Sequence, residues 1–141
     1  MTARALVSLL NLALLAGCSF PMCNAMPCRN SLTIDVRFMS APQPHAYRVA
    51  VTPPGGAAIT CDLDTAASAR GPCSTSGATI HVTDDSLRID LPVAPETVHV
   101  EVDADTESIV NAEVSPSYVR SDDECDAESC RRGTAAIAAS S

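Results

Sequence analysis

From Leu32 onward, apolar residues occupy every second position: Leu32, Ile34, Val36 and Phe38 on one side of the chain, with Thr33, Asp35 and Arg37 on the other. A period of two marks a β-strand with one buried face, because successive side chains leave the backbone on opposite sides. The pattern recurs at Tyr47, Val49 and Val51, at Ile59, Cys61 and Leu63, and at Ile80 and Val82. It returns at Leu87, Ile89 and Leu91, at Val98, Val100 and Val102, and at Val110, Ala112 and Val114. Turn signals separate these runs. Pro53-Pro54-Gly55-Gly56 predicts a hairpin, Asp84-Asp85-Ser86 reverses the chain, and Pro92 and Pro95 interrupt pairing. A weak last strand is expected around Ala135 to Ala139. Seven or eight short strands divided this way predict an all-β chain, an antiparallel β-sandwich of immunoglobulin-like or transthyretin-like type, because two half-buried sheets cover each other's apolar faces. The segment from Asp62 to Arg70 departs from the alternation. It reads either as a helical turn stopped by Gly71-Pro72 or as a loop closed by Cys61 and Cys73.

The first residues follow a different pattern. A positive charge at Arg4 precedes an apolar run from Ala5 to Ala16, broken only by Ser8 and Asn11. About 20 apolar residues are needed to cross a bilayer, so this run reads as a secretory signal peptide rather than a membrane span. It ends in Leu15-Ala16-Gly17-Cys18. That tetrapeptide resembles the lipobox of bacterial lipoproteins, a likeness confined to the first eighteen residues. The resemblance implies cleavage between Gly17 and Cys18, a diacylglycerol thioether on Cys18, and a further acyl chain such as palmitate on the new amino terminus. Simple secretion fits less well, since Leu14 or Leu15 would stand three residues before the obvious cuts, where a small residue is needed. Two or three chains at about 0.8 kcal/mol per buried methylene anchor a protein stably, whereas one chain binds only reversibly. The expected organisation is a signal peptide at 1–17, a lipid-anchored tether at 18–31, and a sandwich domain at 32–141.

Seven cysteines in an exported chain leave one unpaired unless one is consumed chemically. Lipidation of Cys18 leaves three local couples, Cys23 and Cys28, Cys61 and Cys73, and Cys125 and Cys130, each able to close a small loop in an oxidising compartment. Nearest-neighbour pairing is the expectation among fifteen connectivities. The unequal gaps do not match paired Cys-x2-Cys zinc ligands.

Composition narrows the function further. The chain has no Trp, only two Phe and two Tyr, no Lys, and a formal charge of -8. Aliphatic residues must therefore build the core, base-stacking platforms are lacking, and nucleic acid is repelled, as is anionic lipid at the level of net charge. No Gly-x-Ser-x-Gly elbow is present, and Gly55-Gly56 is a turn rather than a phosphate loop. His81 and His99 fall on outward positions of separate strands, and if those strands were neighbours the two rings would share a face with Asp90 or Glu101. Isolated surface histidines are the commoner meaning of such a pattern. Asp122, Glu124, Asp126 and Glu128 place carboxylates at every other residue around Cys125, a set of oxygen donors suited to calcium. The run lacks the Gly of a tight calcium loop, so a solvated acidic tip is the plainer reading.

At the C-terminal end, Ser115-Pro116-Ser117-Tyr118, then Cys125, Cys130 and Arg131-Arg132, are similar to small lipoproteins of high-GC soil bacteria. Those carry a strand ending in Pro-x-Tyr, a Cys-bearing loop and a last strand. This chain has Ser121-Asp122-Asp123 where their loop turns through Pro-Asn-Gly. Together the readings predict a lipid-anchored envelope protein that works as a binding or structural module, without a cofactor and without enzyme activity. Its expected partners are the membrane, through the anchor, and an envelope protein or polysaccharide. Ser19 rather than Asp after the lipidated cysteine favours the outer membrane. The alternative is a calcium- or metal-dependent envelope enzyme with its active residues in loops.

Overall fold

The computed structural model describes residues 29–39, 45–120 and 130–140. Ten strands form two sheets, and no helix occurs among the described residues. In chain order they are β1 (Ser31–Arg37), β2 (Ala46–Thr52), β3 (Ile59–Asp64), β4 (Arg70–Gly71) and β5 (Thr79–Val82). They continue with β6 (Ser86–Leu91), β7 (Val98–Ala104), β8 (Glu107–Val114), β9 (Ser117–Arg120) and β10 (Arg131–Ala138). One sheet has six strands in the order β4-β5-β6-β1-β10-β9, and the other has four in the order β3-β2-β7-β8.

The alternating rows face inward as their period requires. Leu32, Ile34 and Val36 of β1, Leu87, Ile89 and Leu91 of β6, and Val98, Val100 and Val102 of β7 are at most 2% exposed. Each such side chain contributes about 1.5–3 kcal/mol by leaving water. No large aromatic ring is among the fully buried side chains, so branched aliphatics fill the space between the sheets. Among the described residues, every buried side-chain nitrogen and oxygen has a hydrogen-bond partner.

The sandwich is disulfide-stapled and antiparallel, with one exception. β1 and β10 pair in parallel, Ser31 opposite Arg132 through Arg37 opposite Ala138. The first and last strands of the domain thus lie side by side, with the rest of the domain as their crossover. The weak final strand expected from Ala135 is in fact an eight-residue strand beginning at Arg131 and hydrogen-bonded on both sides. Its inward row starts with Gly133 and Ala135 and reaches a large apolar residue only at Ile137, which hides it from a hydrophobicity pattern. Gly133 is small for a reason: the Tyr118 ring from β9 covers it, and a Cβ there would collide with the ring. Tyr118 therefore sits inside a strand of its own instead of ending the preceding one, because Ser115-Pro116 breaks the chain after β8 and β9 joins the other sheet.

Two seams join the sheets along their sides. At the first, the β3 edge is met by the residues following β4: Asp62 N–H donates to the Pro72 carbonyl at 3.1 Å, and Ser74 N–H to the Thr60 carbonyl at 2.7 Å. The Cys61–Cys73 disulfide locks this crossing. Gly71 is needed beside it, since a Cβ would strike the Asp62 carbonyl. The Asp62 to Arg70 segment is thus the disulfide-closed loop, not a helix. Its only helical feature is one turn, in which Ser68 N–H donates to the Asp64 carbonyl at 2.9 Å and the Asp64 carboxylate accepts from Ala66 N–H at 3.0 Å. At the second seam, an irregularity leaves Ile109 of β8 opposite no residue of β7. Its carbonyl accepts instead from the backbone N–H and the hydroxyl of Ser140, at 2.8 and 2.9 Å, just beyond β10.

Val100→Asp would place an unpaired carboxylate at a fully buried position, whereas Glu101 beside it is exposed. The expected loss is at least about 3 kcal/mol for Val100→Asp and within about 0.5 kcal/mol for Glu101→Ala, read from urea unfolding. Replacing both Cys61 and Cys73 by Ala should lower stability by up to about 3 kcal/mol, the value expected for opening a loop of this length. Calorimetry of the oxidised chain and the double variant checks it.

Candidate functional site

Two Asp-x-Asp pairs flank one end of the four-stranded sheet: Asp62 and Asp64 share the outward side of β3 by alternation, while Asp103 lies near the end of β7 and Asp105 in the turn that follows it. β2 lies between β3 and β7 and brings the pairs together: Arg48 stands opposite Asp62 on one side and opposite Asp103 on the other. The result is an open hollow of about 440 Å³ on the outer face of the four-stranded sheet, near the end where β7 turns into β8. Four aspartates and one arginine line it, with Leu63, Pro72 and Tyr47 at its apolar margin. Arg48 Nε lies 3.2 Å from Asp62 Oδ1, but both side chains are largely exposed, so water screens the pair and it adds little stability.

Asp105 is the structural corner of the hollow. It holds a left-handed backbone conformation (φ 55°), uncommon for a residue with a side chain but best tolerated by Asp and Asn. Its N–H donates to the Ala46 carbonyl at 2.7 Å, and its Oδ1 accepts from Ala46 N–H at 2.9 Å. Oδ2 meets His45 Nδ1 at 2.5 Å. These contacts hold the Asp105 carboxyl below the usual carboxylate range, the Ala46 N–H contributing most and His45 next. His45 is fixed in turn by Thr65, whose hydroxyl accepts from His45 N–H at 2.9 Å and donates to the His45 carbonyl at 3.1 Å. Burial, and secondarily the Asp105 charge, raises the Tyr47 phenol.

Charge is sorted between the two sheets in a way no stretch of sequence displays. The strands of the six-stranded sheet carry six arginines (Arg37, Arg70, Arg88, Arg120, Arg131, Arg132) against Asp35 and Asp90. The strands of the four-stranded sheet carry Arg48 alone against Asp62, Asp64, Glu101, Asp103, Glu107 and Glu113. At the end where β1 begins, Arg131 lies over the Tyr118 ring, 4.9 Å from its centroid, and donates to the Ala94 carbonyl at 2.9 Å. The Tyr118 hydroxyl donates to the Pro95 carbonyl at 2.5 Å. Burial raises the Tyr118 phenol and Arg131 partly opposes that rise.

Of the residues singled out from sequence, Cys61 and Cys73 are bonded to each other. Cys130 is disulfide-bonded; Cys18, Cys23, Cys28 and Cys125 lie outside the described residues, as do Asp122, Glu124, Asp126 and Glu128. His81 and His99 do not share a face: β5 belongs to the six-stranded sheet and β7 to the four-stranded one, so their outward positions lie on opposite sides of the sandwich. His99 instead approaches Glu101 of its own strand at 3.4 Å. No group of three or more His, Cys, Asp or Glu positioned to hold a metal ion occurs among the described residues. His45 and Asp105 escaped the sequence reading, since they lie sixty residues apart and neither belongs to an alternating row. The two Asp-x-Asp pairs were the visible signal for the hollow, and only the strand order joins them. No family model, no curated protein and no solved structure matches this chain.

A depressed carboxyl contributes stability that is present above its unfolded pKa, about 3.9 for Asp, and is lost as pH falls through the lower folded value. Asn keeps the left-handed backbone and the acceptor for Ala46 N–H but cannot ionise. Asp105→Asn should therefore flatten the decline of melting temperature below about pH 4 and change it little in shape above that. Thermal melts from pH 2 to 7 on both proteins check this.

Proposed function

We propose that this chain is a bacterial cell-envelope lipoprotein, held in the membrane by acyl chains on Cys18, whose sandwich serves as a binding or structural module. The observation that carries the reading is Leu15-Ala16-Gly17-Cys18 behind a short apolar run with one preceding positive charge. Cysteine number supports it, because removing Cys18 from the pool leaves an even set for an oxidising compartment. The fold is compatible: the first strand starts at Ser31, so residues 19–30 separate the lipid from the domain. Twelve residues span at most about 40 Å when extended, which leaves the sandwich close to the bilayer surface and both outer faces able to meet partners. The outer membrane is the proposed location, from Ser19 following the lipidated residue.

Metabolic labelling with a fatty acid should mark the wild-type protein and not Cys18→Ala, and the variant should accumulate as uncleaved precursor. A wild-type chain that never takes up label, or that is cut elsewhere and released, overturns the anchor.

A further inference from the structure

The outer faces of a β-sandwich point in opposite directions, and in this protein they carry opposite charge. Arg37, Arg70, Arg88 and Arg132 are outward and exposed on the six-stranded sheet, where Asp35 neutralises only Arg88, at 2.9 Å. Asp62, Asp64, Glu101 and Glu113 are outward and exposed on the four-stranded sheet, around the single Arg48. We infer that the protein associates with itself head to tail, the arginine face of one copy resting on the carboxylate face of the next.

Complementarity selects a second copy as the occupant, since both halves of the contact are present on every molecule. The chain enters the domain at Ser31, at one end of the strands rather than from the middle of either face. A face of four strands about 4.8 Å apart and seven residues long measures roughly 19 by 23 Å, or about 450 Å² per copy. Total burial near 900 Å² is below that of stable complexes, about 1,200–2,000 Å², so the contact should be weak and transient. Charge rather than apolar area has to drive it, which makes it strongly dependent on salt. Because the contact joins different surfaces on opposite sides of the molecule, it does not close as a two-fold dimer and instead extends to short stacks. The inference is independent of whether Cys18 is lipidated.

Sedimentation of the chain from residue 19 onward, with its disulfides formed and all described strands retained, tests the idea. At about 10 mM salt, where charges act over about 30 Å, the average mass should rise with concentration beyond twofold; at about 1 M, where the range is about 3 Å, it should return to the monomer. Arg70→Glu/Arg132→Glu turns the arginine face acidic, and Glu101→Arg/Glu113→Arg cancels most of the acidic excess of the carboxylate face. Each variant alone should stay monomeric while keeping the wild-type melting temperature, and an equimolar mixture of the two should regain the association. Wild-type protein that remains monomeric at low salt, association insensitive to salt, or a mixture that fails to associate overturns the proposal. Wild-type binding to phosphatidylglycerol vesicles without self-association also overturns it, by assigning the arginine face to a membrane.

Discussion

The fold depends on a core made almost entirely of branched aliphatic side chains, with Tyr47 the one buried aromatic among the described residues. The fully buried large residues are Leu, Ile and Val drawn from β1, β2, β5, β6 and β7. Branched aliphatics pack in few rotamers and suit the pleated surface of a strand, so the two sheets meet as rows of similar knobs. A core of this kind tolerates polar residues only at the outward positions. All the charge of the strands is therefore driven to the two outer faces or the sandwich ends, and the surface chemistry follows from the packing.

Rows of uniform aliphatics supply cohesion but little to stop the sheets from sliding, and the side seams answer that. On one side, the Cys61–Cys73 bond and two backbone hydrogen bonds fix the β3 edge against the chain that leaves β4. On the other, Ser140 satisfies the Ile109 carbonyl at the irregularity in β8. The two ends are held by contacts of a different type. Asp105, His45 and Thr65 bind the start of β2 to the β7–β8 turn, while Tyr118 and Arg131 bind β9 and β10 to the Ala94-Pro95 segment. Each polar group in these contacts meets a partner, which is the condition for using polar residues near a small core.

The same corner that closes the sandwich shapes the acidic hollow. Asp105 gives both carboxylate oxygens to the start of β2 and is thereby fixed, whereas Asp62, Asp64 and Asp103 project into an open depression. Asp64 also accepts from Ala66 N–H and Asp62 faces Arg48, so carboxylates held to different degrees surround one arginine. The arginine-bearing sheet offers the opposite surface on the same molecule.

Alternation by itself determined every strand from Leu32 to Val114 except the two-residue β4, which residues face inward, and the β2–β3 hairpin, because a period of two and a Pro-Gly turn are local properties. The Cys61 and Cys73 couple was legible for the same reason, being near in sequence. Tertiary structure decided what depends on partners distant in the chain. β10 looks weak in sequence because Gly133 and Ala135 carry little apolar bulk, yet it is a central strand, since Tyr118 covers Gly133 and β1 pairs with it in parallel. The separation of His81 from His99, the meeting of His45 with Asp105, and the gathering of the two Asp-x-Asp pairs around Arg48 all follow from strand order. Strand order is set by which rows bury best together across the whole domain, and a summed net charge hides what that order does: it places arginine on one face and carboxylate on the other.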